Sequence, residues 1–275
     1  MPWLLRETVQ RRRTTILVYH DPSPGTLEAH LRALSRRYNF VALADYVSNR
    51  AESSPQLPAK SLVITLDDGH AGNHELRGVF ERFQVRPTIF VCTGLIGTSR
   101  GFWFLHAGDV ELLKRLPNDE RVATLEASGF SPDAELPHRE ALSNEEVSSL
   151  STVADIQSHT VTHPILPNCT DEQAGAELEE SIRHLEQKFG LAVFALAYPN
   201  GDYSNRELSL ARLVGYTCAV TVDGGSNASS TDLFRLRRTA VDDRDSVDAV
   251  IVKASGLWRL VKRLIGRPSH GFREA

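Results

Sequence analysis

Two adjacent carboxylates, Asp67 and Asp68, close the apolar run Leu62 to Leu66 and are followed at once by Gly69. Neighbouring side chains on a strand point to opposite faces, so the two acids at the end of such a run occupy different surroundings and can serve different roles. One can hold a metal while the other handles a proton. His159 and His163 lie four residues apart in Ser158-His159-Thr160-Val161-Thr162-His163-Pro164, a spacing that lets two imidazoles reach one ion. Pro164 biases His163 away from helix, which favours a loop after a strand. Together with Asp68 they make a two-histidine, one-carboxylate set, a common way to hold a divalent cation while leaving positions open for water and substrate. An ion held in this way polarises a carbonyl and acidifies water, and Asp67, adjacent but not coordinating, can act as general base. These motifs favour metal-assisted hydrolysis over the plainer alternative of a turn at Asp68-Gly69 and two structural histidines.

The elements that must position these residues alternate along the chain. Val63, Ile64 and Thr65 favour a strand buried on both faces, as in a parallel sheet. Thr14 to His20 reads as a first strand broken by Pro22 and Pro24, which leaves His20 at a strand end. Further strands are expected at Thr88–Thr93, Val153–Gln157, Val193–Tyr198, Tyr216–Val222 and Phe234–Val241. Helices fall between them, the longest over Asp171–Phe189 with Leu178, Ile182 and Leu185 on its buried side and Gly190 as its cap. The acidic, histidine-bearing and Pro-Gly motifs all fall where strands finish, as in a parallel α/β barrel. Phe102-Trp103-Phe104 lacks clear periodicity and either plugs the core or stacks on a sugar ring. Pro117 to His138 is polar and reads as an insertion over one end of the domain. Val250 to Ile265 reads as a basic amphipathic helix, either the outermost helix of the fold or a contact with an anionic membrane surface.

With 275 residues, 41% hydrophobic and 24% charged, the chain suits one large α/β domain over residues 1–275 with its core at about 14–241. A net charge of −4 argues against nucleic acid as the main partner. Cys92, Cys169 and Cys218 are odd in number and form no CxxC pattern, so buried thiols are expected rather than a disulfide framework or a cysteine zinc site. Met1 to Thr15 lacks the apolar core of a signal peptide, and no run is long enough to span a membrane. A cytoplasmic enzyme is the simplest reading.

Thr65-Leu66-Asp67-Asp68-Gly69, Ser158 to His163 and Tyr198-Pro199-Asn200-Gly201, in this order, closely resemble the motifs of the polysaccharide deacetylases, carbohydrate esterase family four. Tyr19-His20, Phe102-Trp103 and Phe234-Arg235-Leu236-Arg237-Arg238 look like accessory features of one branch. The resemblance implies a distorted (β/α) barrel with about seven parallel strands. It further implies a divalent-metal hydrolase that removes acetyl groups from an amino-sugar-containing carbohydrate by attack of metal-bound water. Carried over, Asp67 matches the catalytic base, and Asp68, His159 and His163 match the metal ligands, with zinc as first choice. The oxyanion would be held by the metal and a backbone N–H near Asn200, with Tyr198 and Trp103 as further substrate candidates. Three departures stand out. Ala197 occupies the position two residues before the proline where many members carry an arginine that orients the base. Asn200 stands where tyrosine is usual. Leu236-Arg237-Arg238 occupies the neighbourhood of a late leucine-x-histidine motif whose histidine is the acid. That leaves protonation of the leaving amine unassigned: His20, His70 and His106 are candidates, His20 being the one carried forward, and a metal ligand or water is a further alternative. Two other functions share these residues: hydrolysis of a non-sugar amide, and a non-catalytic glycan-binding assembly factor. Metal content separates the second from an enzyme.

Overall fold

A computed structural model describes residues 2–8, 10–49 and 57–258. Nine strands occur among them: β1 (Thr14–Tyr19), β2 (Asn39–Phe40), β3 (Ser61–Leu66), β4 (Thr88–Val91), β5 (Asp155–Ser158), β6 (Ala195–Ala197), β7 (Cys218–Val220), β8 (Ser226–Asn227) and β9 (Thr239–Ala240). They form one curled sheet in the order β7-β6-β5-β4-β3-β1-β8, with β2 beside β3 and β9 beside β1. Every pairing is parallel except β1 with β8. The result is a half-barrel, and a single parallel bridge from Val220 to Leu236 draws β7 toward the segment that becomes β9.

Burial follows strand alternation. Val63 packs inside the barrel with Ile16, Phe90, Ala195, Cys218, Val220 and Leu236. Leu62, Ile64 and Leu66 face outward, into the layer formed with Leu27, Leu31, Leu34, Val79 and Phe80 of the surrounding helices. The β3 run is apolar throughout because both faces are covered, as parallel sheets require. Thr65 shares the parity of Val63 and is fully buried. Asp67 comes next on that inner face, so the strand's own period carries one acid inward.

The helix Asp171–Phe189 forms as its sequence dictates, with a Thr170/Gln173 capping box at one end and left-handed Gly190 at the other. Two expectations are corrected. Phe234–Val241 is not one strand: Asp232 caps a single 3-10 turn at Leu233–Arg235, and only Thr239–Ala240 is paired as a strand. The stretch Pro117–His138 is not simply a polar insertion, since Asn118–Ala127 is helical and buries Arg121 and Leu125. The carboxyl-terminal helix expected over Val250–Ile265 begins at Val247, breaks at Ser255–Gly256, where Gly256 has φ +75°, and is helical again at Leu257–Trp258. The rest of the amphipathic segment, from Arg259 on, lies outside the described residues. Cys92, Cys169 and Cys218 are buried free thiols. No helix among the described residues is long and apolar enough to cross a membrane.

Candidate active site

The site lies at the carboxyl ends of β1, β3, β5 and β6. Beyond Leu66 the chain leaves the β3 ladder: Asp68 has φ +71° and Gly69 φ +77°. A Cβ on Gly69 would lie 2.7 Å from Val91 Cγ1, so this turn requires glycine. The reversal turns the Asp68 carboxylate away from the barrel interior and toward the end of β5.

There Asp68 Oδ1 lies 3.3 Å from His159 Nε2 and 3.6 Å from His163 Nε2. Donor atoms of the three residues all fall within 4.8 Å of one another, and all three side chains are buried. His159 Nδ1 donates to the Ala197 carbonyl at 2.8 Å, which aims Nε2 at the cluster. His70 Nε2 donates to Asp68 Oδ2 at 3.2 Å and packs against the Phe102 ring. The other carboxylate oxygen is thereby left to the histidine pair.

Electrostatics support the assignment. Burial raises the Asp68 carboxyl, but hydrogen bonds from His159 and His70 outweigh it and hold the group well below the ordinary carboxylate range. Burial, followed by the charge of His159, pushes His163 down to about 3, so this ring stays neutral and can donate a lone pair. His159 moves the other way: burial lowers it, yet the Asp68 hydrogen bond and the Asp67 charge raise it overall. A cation binding at its Nε2 would displace that proton. His163 Nδ1 is buried with no hydrogen-bond partner. One carboxylate and two imidazoles, buried and convergent, fit a divalent transition ion.

Asp67 lives in a different environment. Arg238 Nη1 and Nη2 donate to its two oxygens at 2.6 and 2.7 Å in a bidentate pair. The guanidinium is fully buried, with Nε donating to the Thr221 carbonyl and Nη1 also reaching Thr65 Oγ1. Burial alone raises the Asp67 carboxyl, but the Arg238 charge, followed by His159, holds it below its ordinary value. The missed residue is thus Arg238. Ala197 leaves the usual arginine position empty, and the segment Leu236–Ala240 supplies a guanidinium from across the barrel. Two signals pointed to it: a buried acid needs a counter-charge, and Leu236 and Arg238 share strand parity.

The remaining candidates separate. His20 is exposed at the end of β1 and stands beside Asp67, because Tyr19 is the register partner of Leu66. Asn200 is exposed in a turn with φ +57°, its amide donating to Asp202. Tyr198 is fully buried, stacks on Tyr203 and donates to the Phe234 carbonyl. Trp103 is buried as well, beneath the Arg121 guanidinium, and its indole donates to the His163 carbonyl at 2.9 Å. His106 pairs with Glu140 at 2.8 Å and stacks on Phe130.

A curled parallel sheet with acids and imidazoles gathered at its strand ends defines a barrel-type fold with its polar site at the carboxyl ends of the strands. Residues 54–219 match the polysaccharide deacetylase family model, and the chain belongs to that family, whose members are hydrolases of carbon–nitrogen bonds other than peptide bonds. It is 23% identical over 245 residues to the Bacillus subtilis polysaccharide deacetylase-family protein YxkH, covering 86% of this chain and 74% of that one. Among solved structures, the fold is similar to that of the Streptococcus pyogenes deacetylase PplD in complex with acetate, with a TM-score of 0.67 and 17% identity over 88% of this chain and 98% of that one. IcaB from Ammonifex degensii is similar at a TM-score of 0.66 and 19% identity, over 90% and 98%.

Proposed function

We propose that the chain is a metal-dependent N-deacetylase of an amino-sugar-containing carbohydrate, with Asp68, His159 and His163 holding the ion and Asp67 serving as the base. The observation that carries this reading is the contrast between adjacent carboxylates: Asp68 faces two imidazole nitrogens, and Asp67 faces a guanidinium. A divalent cation, zinc by its preference for imidazole and carboxylate donors, supplies the Lewis acid that polarises the acetyl carbonyl and acidifies water.

The chain's own residues do the rest. Asp67 is ionised, and the bidentate pair with Arg238 fixes the plane of its carboxylate while leaving a lone pair on each oxygen to take the proton of the attacking water. Its proximity to Asp67 supports His20 as the group that returns a proton to the leaving amine, whereas His70 and His106 are engaged with Asp68 and Glu140. A backbone N–H at the exposed Asn200 turn supports the developing oxyanion. Acetate and a free amine are the products.

The test is acetate release from a panel of N-acetylated amino sugars and chitin-like oligomers, with metal-loaded protein, chelator-treated protein and an Asp67→Asn control. Metal-dependent release that the substitution abolishes is the expected result. One bound equivalent of metal without turnover on any sugar would redirect the site to non-sugar amides. Absence of both metal and turnover would sink the enzymatic reading. His20→Ala is expected to cut turnover with bound metal unchanged, and unaltered turnover would remove His20 from the mechanism.

A further inference from the structure

The loop Thr160–His163, which leads from His159 to His163, is held in a conformation its residues do not favour. Thr160 has φ +66° and His163 φ +58°, left-handed values that are rare for a β-branched or bulky residue. Backbone of this kind persists only where its surroundings over-determine it. Glu177, on the neighbouring helix Asp171–Phe189, is the one side chain among the described residues that holds two consecutive peptide units of this loop. Its Oε2 accepts the N–H groups of Val161 at 2.7 Å and Thr162 at 2.9 Å, and its Oε1 accepts the Thr162 hydroxyl at 2.5 Å. On the far side of the loop, the Trp103 indole takes the His163 carbonyl, and the N–H groups of Thr93 and Gly94 take the carbonyls of Thr160 and Val161. Inside the loop, the His163 N–H donates to Thr160 Oγ1 at 3.2 Å.

We infer that Glu177 is a positioning residue that builds the His159–His163 arrangement before any ion arrives, and so sets the metal affinity of the site. The inference rests on the metal-site reading above. Glu177 reaches neither imidazole; it acts through the backbone between them. Three hydrogen bonds to one carboxylate fix two consecutive peptide units, and these define the separation and tilt of the rings, which stand 4.8 Å apart at 75°. Partners that orient ligands without touching the metal typically change affinity ~10–100-fold when lost. Trp103 is the lesser support, because it holds one carbonyl.

Glutamine offers a sharp control. Its amide oxygen can accept both N–H groups, and its amide nitrogen can donate to the Thr162 hydroxyl, so Glu177→Gln keeps the clamp and removes the charge. The experiment measures zinc affinity by chelator competition, together with hydrogen exchange over residues 158–166 in metal-free protein, for wild type, Glu177→Gln, Glu177→Ala and Thr162→Val. Expected are a ~10–100-fold weaker affinity in Glu177→Ala, near-wild-type affinity in Glu177→Gln, a smaller loss in Thr162→Val, and faster exchange at Val161 and Thr162 in the alanine variant. Equal weakening in the glutamine and alanine variants would show that Glu177 acts through charge and would overturn the clamp. So would unchanged exchange in the alanine variant. If wild type binds no zinc, the metal-site reading fails on its own, and the exchange measurement still decides whether Glu177 shapes the loop. Should Glu177→Ala fold poorly, Thr162→Val against wild type carries both readouts.

Discussion

A carboxylate buried as deeply as Asp67 has to be paired, and the identity of its partner decides what it can do. Arg238 contributes two parallel charge-assisted hydrogen bonds, which set orientation as well as charge. Removing one partner of a buried pair leaves an uncompensated ion and typically costs about 3–5 kcal/mol. Arg238→Gln is therefore expected to lower the free energy of unfolding by an amount of that order, measured by chemical unfolding. The same change removes the cation that holds the Asp67 carboxyl low, so the acidic limb of the pH–rate profile should move to higher pH. Turnover should fall by roughly 10²-fold or more, the usual contribution of a positioned base. A wild-type acidic limb in the variant would show that Asp67 is not the titrating base. At this scale the sequence was legible for the residues that gather at the strand ends and blind to the Arg238 partner of Asp67. Asp67, Asp68, His159 and His163 declare themselves by type and spacing within short motifs, whereas the Asp67–Arg238 contact joins residues 171 positions apart. Arg238 also lies beyond the stretch that the family model matches.

At the scale of elements, the site depends on turns that fix where strands stop. Gly69 combines φ +77° with a close approach to Val91, whose Cα lies 3.2 Å from where a Cβ would sit. Gly69→Ala should cost about 1–3 kcal/mol through strain and overpacking. Because Asp68 immediately precedes it, bound metal should be lost as well, which metal analysis beside a thermal melt would detect. Retained stoichiometric metal would show that the Asp68 turn tolerates the shift. Strands with continuous apolar runs were readable, as β1, β3 and β4 demonstrate, because burial on both faces leaves a compositional trace. Phe234–Val241 misleads for the opposite reason. Its apolar and basic residues alternate like a strand, but the Asp232 cap and the packing of Phe234 under Arg212 favour a 3-10 turn first. The aromatic trio was ambiguous because only tertiary contact distinguishes a Trp103 that braces His163 from one that meets a sugar.

For the whole molecule, two linkages follow from the site. The Asp67 carboxyl titrates below its ordinary value of 3.8 in the folded chain, so the unfolded chain binds that proton more readily. The pairing therefore adds stability above about pH 4, and this is lost as pH falls through the lower folded value. Unfolding midpoints between about pH 5 and pH 2 should decline less steeply in Asp67→Asn than in wild type, and parallel curves would contradict the linkage. An ion that binds only the folded chain stabilises it by about 4 kcal/mol at a thousandfold excess over Kd, so chelation should lower Tm by roughly 10 °C in calorimetry. The segment Leu236–Ala240 joins these scales, since it both closes the gap between β7 and β1 and delivers Arg238 to Asp67. On a ribosome, β1 to β8 emerge before Leu236, so Asp68, His159, His163 and Asp67 are made while Asp67 still lacks its counter-charge. A nascent chain stalled before Leu236 is expected to release no acetate even when supplied with metal. Completion of synthesis would then act as the activating event.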